Sequence, residues 1–269
     1  SHNTLISKRP TIMEKPSSPS LEANKCGSLR GRFSEATDEF VQVFTASIDF
    51  DRRLYKEDIA GSIAHATMLE AIGVLSQTEK DQILSGLNTV LAEIENGDMQ
   101  WRVDLEDVHM NIENALVQLI GDVGKKIHLG RSRNDLVTTD LRLYLRDFID
   151  IYLDKIREIQ HVIAKSAILH SDSMFPGFTH MQIAQPVTFG HHLLAWCEML
   201  YRDEVRLTNT RELLNTLPLG SAALSGTSLK INRNMIAKKL GFKTVTKNSM
   251  DVRTAHVCFS YFLVRENLL

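Results

Sequence analysis

Three polar clusters and one isolated serine carry the residue types from which a proton-transfer or anion-binding site can be built. The first cluster is Glu106-Asp107-Val108-His109-Met110-Asn111-Ile112-Glu113, where His109 and Glu113 stand four residues apart and can pair on one helix face. The second is His128-Leu129-Gly130-Arg131-Ser132-Arg133-Asn134-Asp135. Its two arginines are planar forks suited to carboxylates, Ser132 and Asn134 add short donors and acceptors, and Asp135 can cap the helix that follows. The third is Gly177-Phe178-Thr179-His180-Met181-Gln182-Ile183-Ala184-Gln185-Pro186, a threonine, a histidine and two glutamines ahead of a proline. His180 is a candidate acid or base, because an unperturbed imidazole titrates near neutrality. Ser47, in Thr45-Ala46-Ser47-Ile48-Asp49, is equally a helix cap. Taken singly, each cluster also reads as a capped loop, a surface ion pair or a hydrogen-bonded loop histidine.

Other chemistries lack their motifs. The sequence contains no GxGxxG, no GxxxxGK[ST], no HExxH and no Gly-x-Ser-x-Gly. His191 and His192 are adjacent, so they point to different faces of a helix, and no metal site is expected.

The elements that must position these clusters are helices. A short helix is expected over 34–47, with Phe40, Val41 and Phe44 on one side, opened by Gly31-Arg32-Phe33. Another runs from Arg52 to Ala71 and stops at Gly73. Ser76-Gln77-Thr78-Glu79 reads as a capping box for a helix over 78–96, ended by Asn96-Gly97. A fourth is expected over 104–121, entered through acids that suit the positive end of its dipole. Leu141, Leu145, Phe148, Tyr152, Ile156, Ile159 and Ile163 then recur at steps of four and three, predicting a long helix over 137–169. A second long helix is predicted to start at Pro186, a favoured first helical residue, and to end before Pro218. No alternating strand pattern of useful length occurs.

The fold class is therefore all-α. A tail (1–26), rich in Pro and Ser, is expected to be disordered, with Met13 as a natural start. A small N-terminal helical domain (27–112) is followed by the long antiparallel helices of a central bundle (113–269). Two long amphipathic helices do not close a bundle, so either other chains supply the missing helices or the bundle is incomplete.

Composition narrows the class further. The chain has 269 residues, 43% of them hydrophobic, enough for a sizeable core. Lys and Arg number 31 against 33 Asp and Glu, a net charge of −2, so no basic field suits nucleic acid. No apolar run approaches the ~18 residues of a membrane span. Cys26, Cys197 and Cys258 are widely spaced, which fits reduced thiols in the cytoplasm.

Taken together and in order, the three clusters resemble the argininosuccinate lyase family of the aspartase/fumarase superfamily. Ser132-Arg133-Asn134-Asp135 and Thr179-His180-x-Gln182-x-Ala184-Gln185-Pro186 carry the resemblance, and it extends to Gly31-Arg32-Phe33, Ser47 to Asp51, Leu217 to Leu224 and Asn248-Ser249-Met250-Asp251. The resemblance implies β-elimination of argininosuccinate to arginine and fumarate, without metal or organic cofactor. It implies His180 as the catalytic histidine, Ser47, Asn134 and Thr179 as substrate-holding residues, and Arg133, His109 and Gln185 as their neighbours. It also implies a homotetramer in which each site draws on three subunits. The sequence departs from the family pattern after Asp251, and Leu136 stands where a glutamine is usual. The family's later Gly-Ser-Ser-x-Met-Pro-x-Lys-x-Asn loop, which supplies a catalytic serine and a substrate lysine, is not found here. The reading is a frameshift or truncated gene, and the chain alone is expected to show no turnover. The alternative is a non-enzymatic helical assembly protein, a pseudoenzyme or crystallin-like relative.

Overall fold

The computed structural model describes residues 39–251. The 1–26 tail, Gly31-Arg32-Phe33, the first part of the helix expected over 34–47 and the segment after Asp251 lie outside the described residues. Contacts separate a unit of residues 1–41 from a unit of residues 42–269, and nearly all of the described chain belongs to the second.

The expected helices form, with shifted ends. Helix α1 (Glu39–Thr45), helix α2 (Ile48–Asp51) and a tight 3-10 turn over Arg52–Leu54 precede α3 (Tyr55–Ala71), which begins three residues later than the apolar pattern implies. Gly73 follows α3 at φ +77°, the left-handed conformation that suits glycine. Ser76 and Glu79 close both halves of a capping box on α4 (Gln77–Asn96). Helix α5 (Val108–Ile120) starts after residue 104 because Asp107 is its cap, accepting from the Met110 N–H at 2.9 Å. A short α6 (Asp122–Lys125) leads to α7 (Arg133–Leu169), whose 37 residues span about 55 Å. Ser132 caps α7 and Asp135 completes the box.

The helix expected from Pro186 requires correction. Residues 174–188 form an antiparallel hairpin, β1 (Met174–Thr179) with β2 (Gln182–Thr188), and α8 (Phe189–Leu214) begins only after it. Thr188 is the true cap, its hydroxyl accepting from the His191 N–H at 3.1 Å. Pro176 and Pro186 face each other across the ladder. Neither has an N–H to give, so the pair sits where the ladder asks for none.

After α8, β3 (Thr216–Leu217) pairs in parallel with β4 (Thr244–Val245), with α9 (Arg233–Lys239) between them. Arg233 fastens this return by donating to the carbonyls of Leu217, Leu219 and Thr246. The core that includes Ile59, Leu69, Ile83, Leu87, Leu116, Leu136, Leu217 and Ile236 joins residues from both expected domains. Leu136, the departure from the family pattern, is fully buried within it. A smaller core of Leu145, Ile149, Leu153 and Leu214 joins α7 to α8.

Helices α7 and α8 run antiparallel, tied by Arg157 to Glu204 at 3.0 Å and by a two-pronged Arg211–Asp150 pair at 2.9 and 3.1 Å. Gly190, at the start of α8, lies against the backbone at the end of α7. A Cβ there would meet the Ala167 carbonyl and lie 3.0 Å from that of His170. Gly190→Ala is expected to destabilise the chain by about 1–3 kcal/mol, because backbone cannot move aside as a side chain can. Urea unfolding checks this, and an unchanged midpoint would contradict the close approach.

Outward faces of both helices carry large apolar residues in the open. Ile151, Tyr152, Ile159 and Val162 on α7 are exposed, as are Leu194, Trp196, Met199, Tyr201 and Val205 on α8. Among the described residues no helix is long and apolar enough to cross a membrane.

Candidate functional site

At the start of α7 the first two sequence clusters meet Ser47. Ser47 donates from Oγ to Asp51 Oδ2 at 2.6 Å, and the other Asp51 oxygen accepts from the Val108 N–H at 3.2 Å. The Glu106 carbonyl accepts from the N–H groups of Ser47 and Ile48, at 2.8 and 3.2 Å. Glu106 reaches this position in a γ-turn, φ +72° and ψ −58°, closed by the Asp107 N–H on Leu105 at 2.8 Å. That conformation is strained for a side-chain residue, and strain of this kind gathers where geometry serves a ligand.

Arg133 turns back across the gap to Glu106, at 3.0 Å, and to Asp107. Burial works against its charge, but the two carboxylates raise its pKa. It clamps the start of α5 to the start of α7. Arg131 points inward and donates to Ser62 of α3 at 2.8 Å. The two arginines thus meet protein partners first, and only the exposed Asn134 stands clear at the rim. Asp135, buried, accepts from the N–H groups of Ser132, Gly220 and Ala222 at 3.0, 3.1 and 2.7 Å, which pins the Leu217–Leu224 stretch beside the arginine loop.

The expected pairing of His109 with Glu113 does not form. Glu113 meets His128 at 3.1 Å, and His109 turns into the protein, its Nδ1 on Asp58 of α3 and 3.5 Å from Asp140 of α7. Residues four apart share a face, but that face of α5 packs on α3, so the nearer partner lies across the helix contact. Ligand atoms of Asp58, His109 and Asp140 lie within 4.8 Å of one another. Sequence reading missed Asp58, Ser62 and His65. Their steps of four and three along α3 put them on one helix face, but Lys56, Glu57, Thr67 and Glu70 on the same helix mask that pattern.

The third cluster is elsewhere. Thr179 and His180 are exposed at the tip of the hairpin, and so are Gln182 and Gln185 on β2. His180 and Met181 are the two turn residues, at φ +50° and +59°, and Met181 is 92% exposed. Such turns favour Asn and Gly, so the residue types here answer to something other than turn stability. A strand of six or seven residues reaches back at most about 25 Å, whereas α7 spans about 55 Å. His180 and Thr179 therefore do not join Ser47, Asn134, Arg133 and His109 within one chain. A cleft of about 380 Å³ opens beside α2, lined by Arg52, Arg53, Tyr55 and Trp101 among others. Asp49 and Phe50 of the Ser47–Asp51 stretch line it, but none of the expected site residues does.

Comparison with known proteins agrees with the motifs. A lyase family model matches residues 31–264, past the Asp251 at which the motif resemblance stops. The argininosuccinate lyase of Acinetobacter baumannii (strain ATCC 17978) is 56% identical over 241 residues, 90% of this chain and 50% of that protein. That of Pseudomonas syringae pv. tomato is 60% identical over 224 residues, 83% of this chain and 48% of that protein. The chain thus spans about half the length of the curated relatives it matches. Among solved structures, an EDDS lyase variant with bound fumarate superposes at a TM-score of 0.69 with 30% identity, over 81% of this chain and 44% of that one. A fumarate lyase from Brucella melitensis bound to cobalt, at 0.69 and 16% identity over 87% and 54%, shares the fold.

Proposed function

Because the chain belongs to the lyase family whose model covers residues 31–264, we propose that it carries half-sites of an argininosuccinate lyase. The reaction would be β-elimination of argininosuccinate to arginine and fumarate, in the cytoplasm. The observation that supports this most is the placement of the matching residues at opposite ends of one rigid helix. Ser47, Asn134, Arg133 and His109 gather at the start of α7, and a hairpin beyond its other end holds Thr179, His180 and Gln185 in the open. Two half-sites on a strut become whole sites only when copies pack side by side. The exposed apolar stripes of α7 and α8 supply the surface for that packing, and the reading is a homotetramer.

In such a site His180 is one of the two proton-handling groups. A proton next to a carboxylate must be removed while the guanidinium nitrogen leaves, and fixed donors must meet the charge that develops. Asn134 and Thr179 would hold the substrate between them, with Ser47 behind. Gln185 lies on β2 of the same hairpin as His180 and would complete its surroundings.

The test is release of fumarate from argininosuccinate, followed by absorbance. It is run on the chain alone and on the chain co-expressed with the part of the Acinetobacter enzyme that it does not cover. Turnover is expected in the second case, falling roughly 10²–10⁴-fold in His180→Asn. No fumarate from either preparation would overturn the reading.

A further inference from the structure

The loop that follows β3 is fastened to the arginine segment at both of its ends. At the near end the Asp135 carboxylate accepts three backbone N–H groups. Ser132 reaches Oδ1 at 3.0 Å, and Gly220 and Ala222 reach Oδ2 at 3.1 and 2.7 Å. At the far end Leu229 and Ile231 close over Gly130, where a Cβ would stand 3.0 Å from one Leu229 methyl and 2.9 Å from the Ile231 Cδ1. Between these anchors Ala223-Leu224-Ser225-Gly226-Thr227-Ser228 is exposed throughout.

We propose that Asp135 is a positioning residue: it pins the 223–228 loop to the first turn of α7, so that Asn134 is held at a fixed rim, and it acts on ligand binding through Asn134 rather than by contact. Only the naming of that ligand as argininosuccinate rests on the lyase reading.

A carboxylate is the side chain that this position asks for. All three partners are donors, and an ionised carboxylate accepts on both oxygens. An asparagine would turn its NH2 towards one of the two sides, so that donors face each other at about 3 Å. Asp135 is fully buried, and burial lifts its pKa above that of an ordinary aspartate, against the three N–H groups and Arg131. A helix cap alone does not need such a residue. At α4 the same box is closed by Ser76 and Glu79 in the open, with the Glu79 carboxylate on the Ser76 N–H at 2.9 Å. The two further bonds of Asp135 reach 85 and 87 residues along the chain. The loop side is bent to meet them. Gly220 lies at φ +92° and Ala222 at φ +54°, a conformation disfavoured for a residue with a Cβ, and both N–H groups turn to one oxygen. Ser221, between them, donates to the Pro218 carbonyl instead, at 3.2 Å from N and 2.8 Å from Oγ. Asn134 is the neighbour of Asp135 on the first turn, and a turn fixed before the ligand arrives leaves less to be ordered on binding.

Two experiments test this. In hydrogen exchange of the wild-type chain, the Gly220 and Ala222 amides lie outside every helix and strand, yet they are expected to exchange roughly 10²-fold more slowly than that of Ala223. Exchange as fast as at Ala223 overturns the pin with no variant needed. In the assembled active protein, Asp135→Asn is expected to raise the KM for argininosuccinate about tenfold, the scale of one charge-assisted hydrogen bond. It should leave kcat within about threefold, because His180 comes from another copy. In an Asn134→Leu background the same change should cost less than about twofold in KM, as it must if Asp135 acts through Asn134. A tenfold loss in both backgrounds, or a fall in kcat with KM unmoved, overturns the positioning role. If no assembled form releases fumarate, the lyase reading falls, while hydrogen exchange still decides the pin.

Discussion

A refolded 1:1 mixture of His180→Asn and Asn134→Leu chains, each assembled with the half that completes its relatives, is expected to show activity that neither variant shows alone. Loss of His180 removes a proton-transfer group worth roughly 10²–10⁴-fold. Asn134→Leu leaves a polar ligand atom unpaired at a cost of about 1–3 kcal/mol. Within one chain these residues are held apart by most of the ~55 Å of α7, and the hairpin cannot reach back. Each site then takes Asn134 from one copy and His180 from another. Random mixing leaves about a quarter of such sites with neither defect, whereas others collect both. Activity of the mixture is checked against the sum of the parents assayed separately. If the two agree, the residues act from one chain or do not act together, and the shared site is wrong.

The second large effect is a loss of stability in acid through His65. This ring is fully buried on α3, with Nε2 donating to the Leu129 carbonyl at 2.8 Å, which leaves Nδ1 bare of any proton or partner. Burial, helped by the nearby charges of Arg131 and His128, depresses its pKa from 6.5 to about 3, against the Leu129 hydrogen bond. The unfolded chain therefore binds a proton that the folded chain refuses between those two values. The contribution is fully present above pH 6.5 and is lost as pH falls towards 3, at up to about 1.4 kcal/mol per pH unit. Urea unfolding is expected to lose about 2 kcal/mol from this group between about pH 6.5 and 4.5. His65→Gln keeps an N–H for the carbonyl but does not titrate, so its stability should fall less steeply. Parallel pH curves for the two proteins would show that His65 accepts its proton without unfolding.

Helix periodicity and capping chemistry made much of this fold legible. The Ser76–Glu79 box is a local motif with one geometric meaning, and it forms, whereas at α7 the cap is Ser132 and not the expected Asp135, which closes the box from the third helical position. The hairpin was hidden because Pro176, Gly177 and Pro186 are residues that ordinarily break strands. Only the pairing of one proline against the other makes them compatible with a ladder, and cross-strand register does not appear in a linear pattern. The partners of His109 were hidden for a related reason. Asp58 and Asp140 lie 51 residues before it and 31 after it, each in a helix whose charges look like a solvated face. What put them inside was the packing of three helices around α5, a tertiary fact. Arg131 and Arg133 were recognised as carboxylate forks, but in the fold Arg131 donates to Ser62 and Arg133 pairs with Glu106 and Asp107.

Helix α7 is also a device with a phase as well as a length. Every residue of an α-helix advances the chain about 1.5 Å and turns it by about 100°. One residue inserted near Asp154, far from either half-site, would leave each end internally intact. It would still swing the hairpin to a different compass bearing relative to the Ser47 cluster. An insertion of seven residues would nearly restore the bearing but overshoot by about 10 Å. The middle of α7 touches no ligand, yet its residue count sets the bearing of everything beyond it.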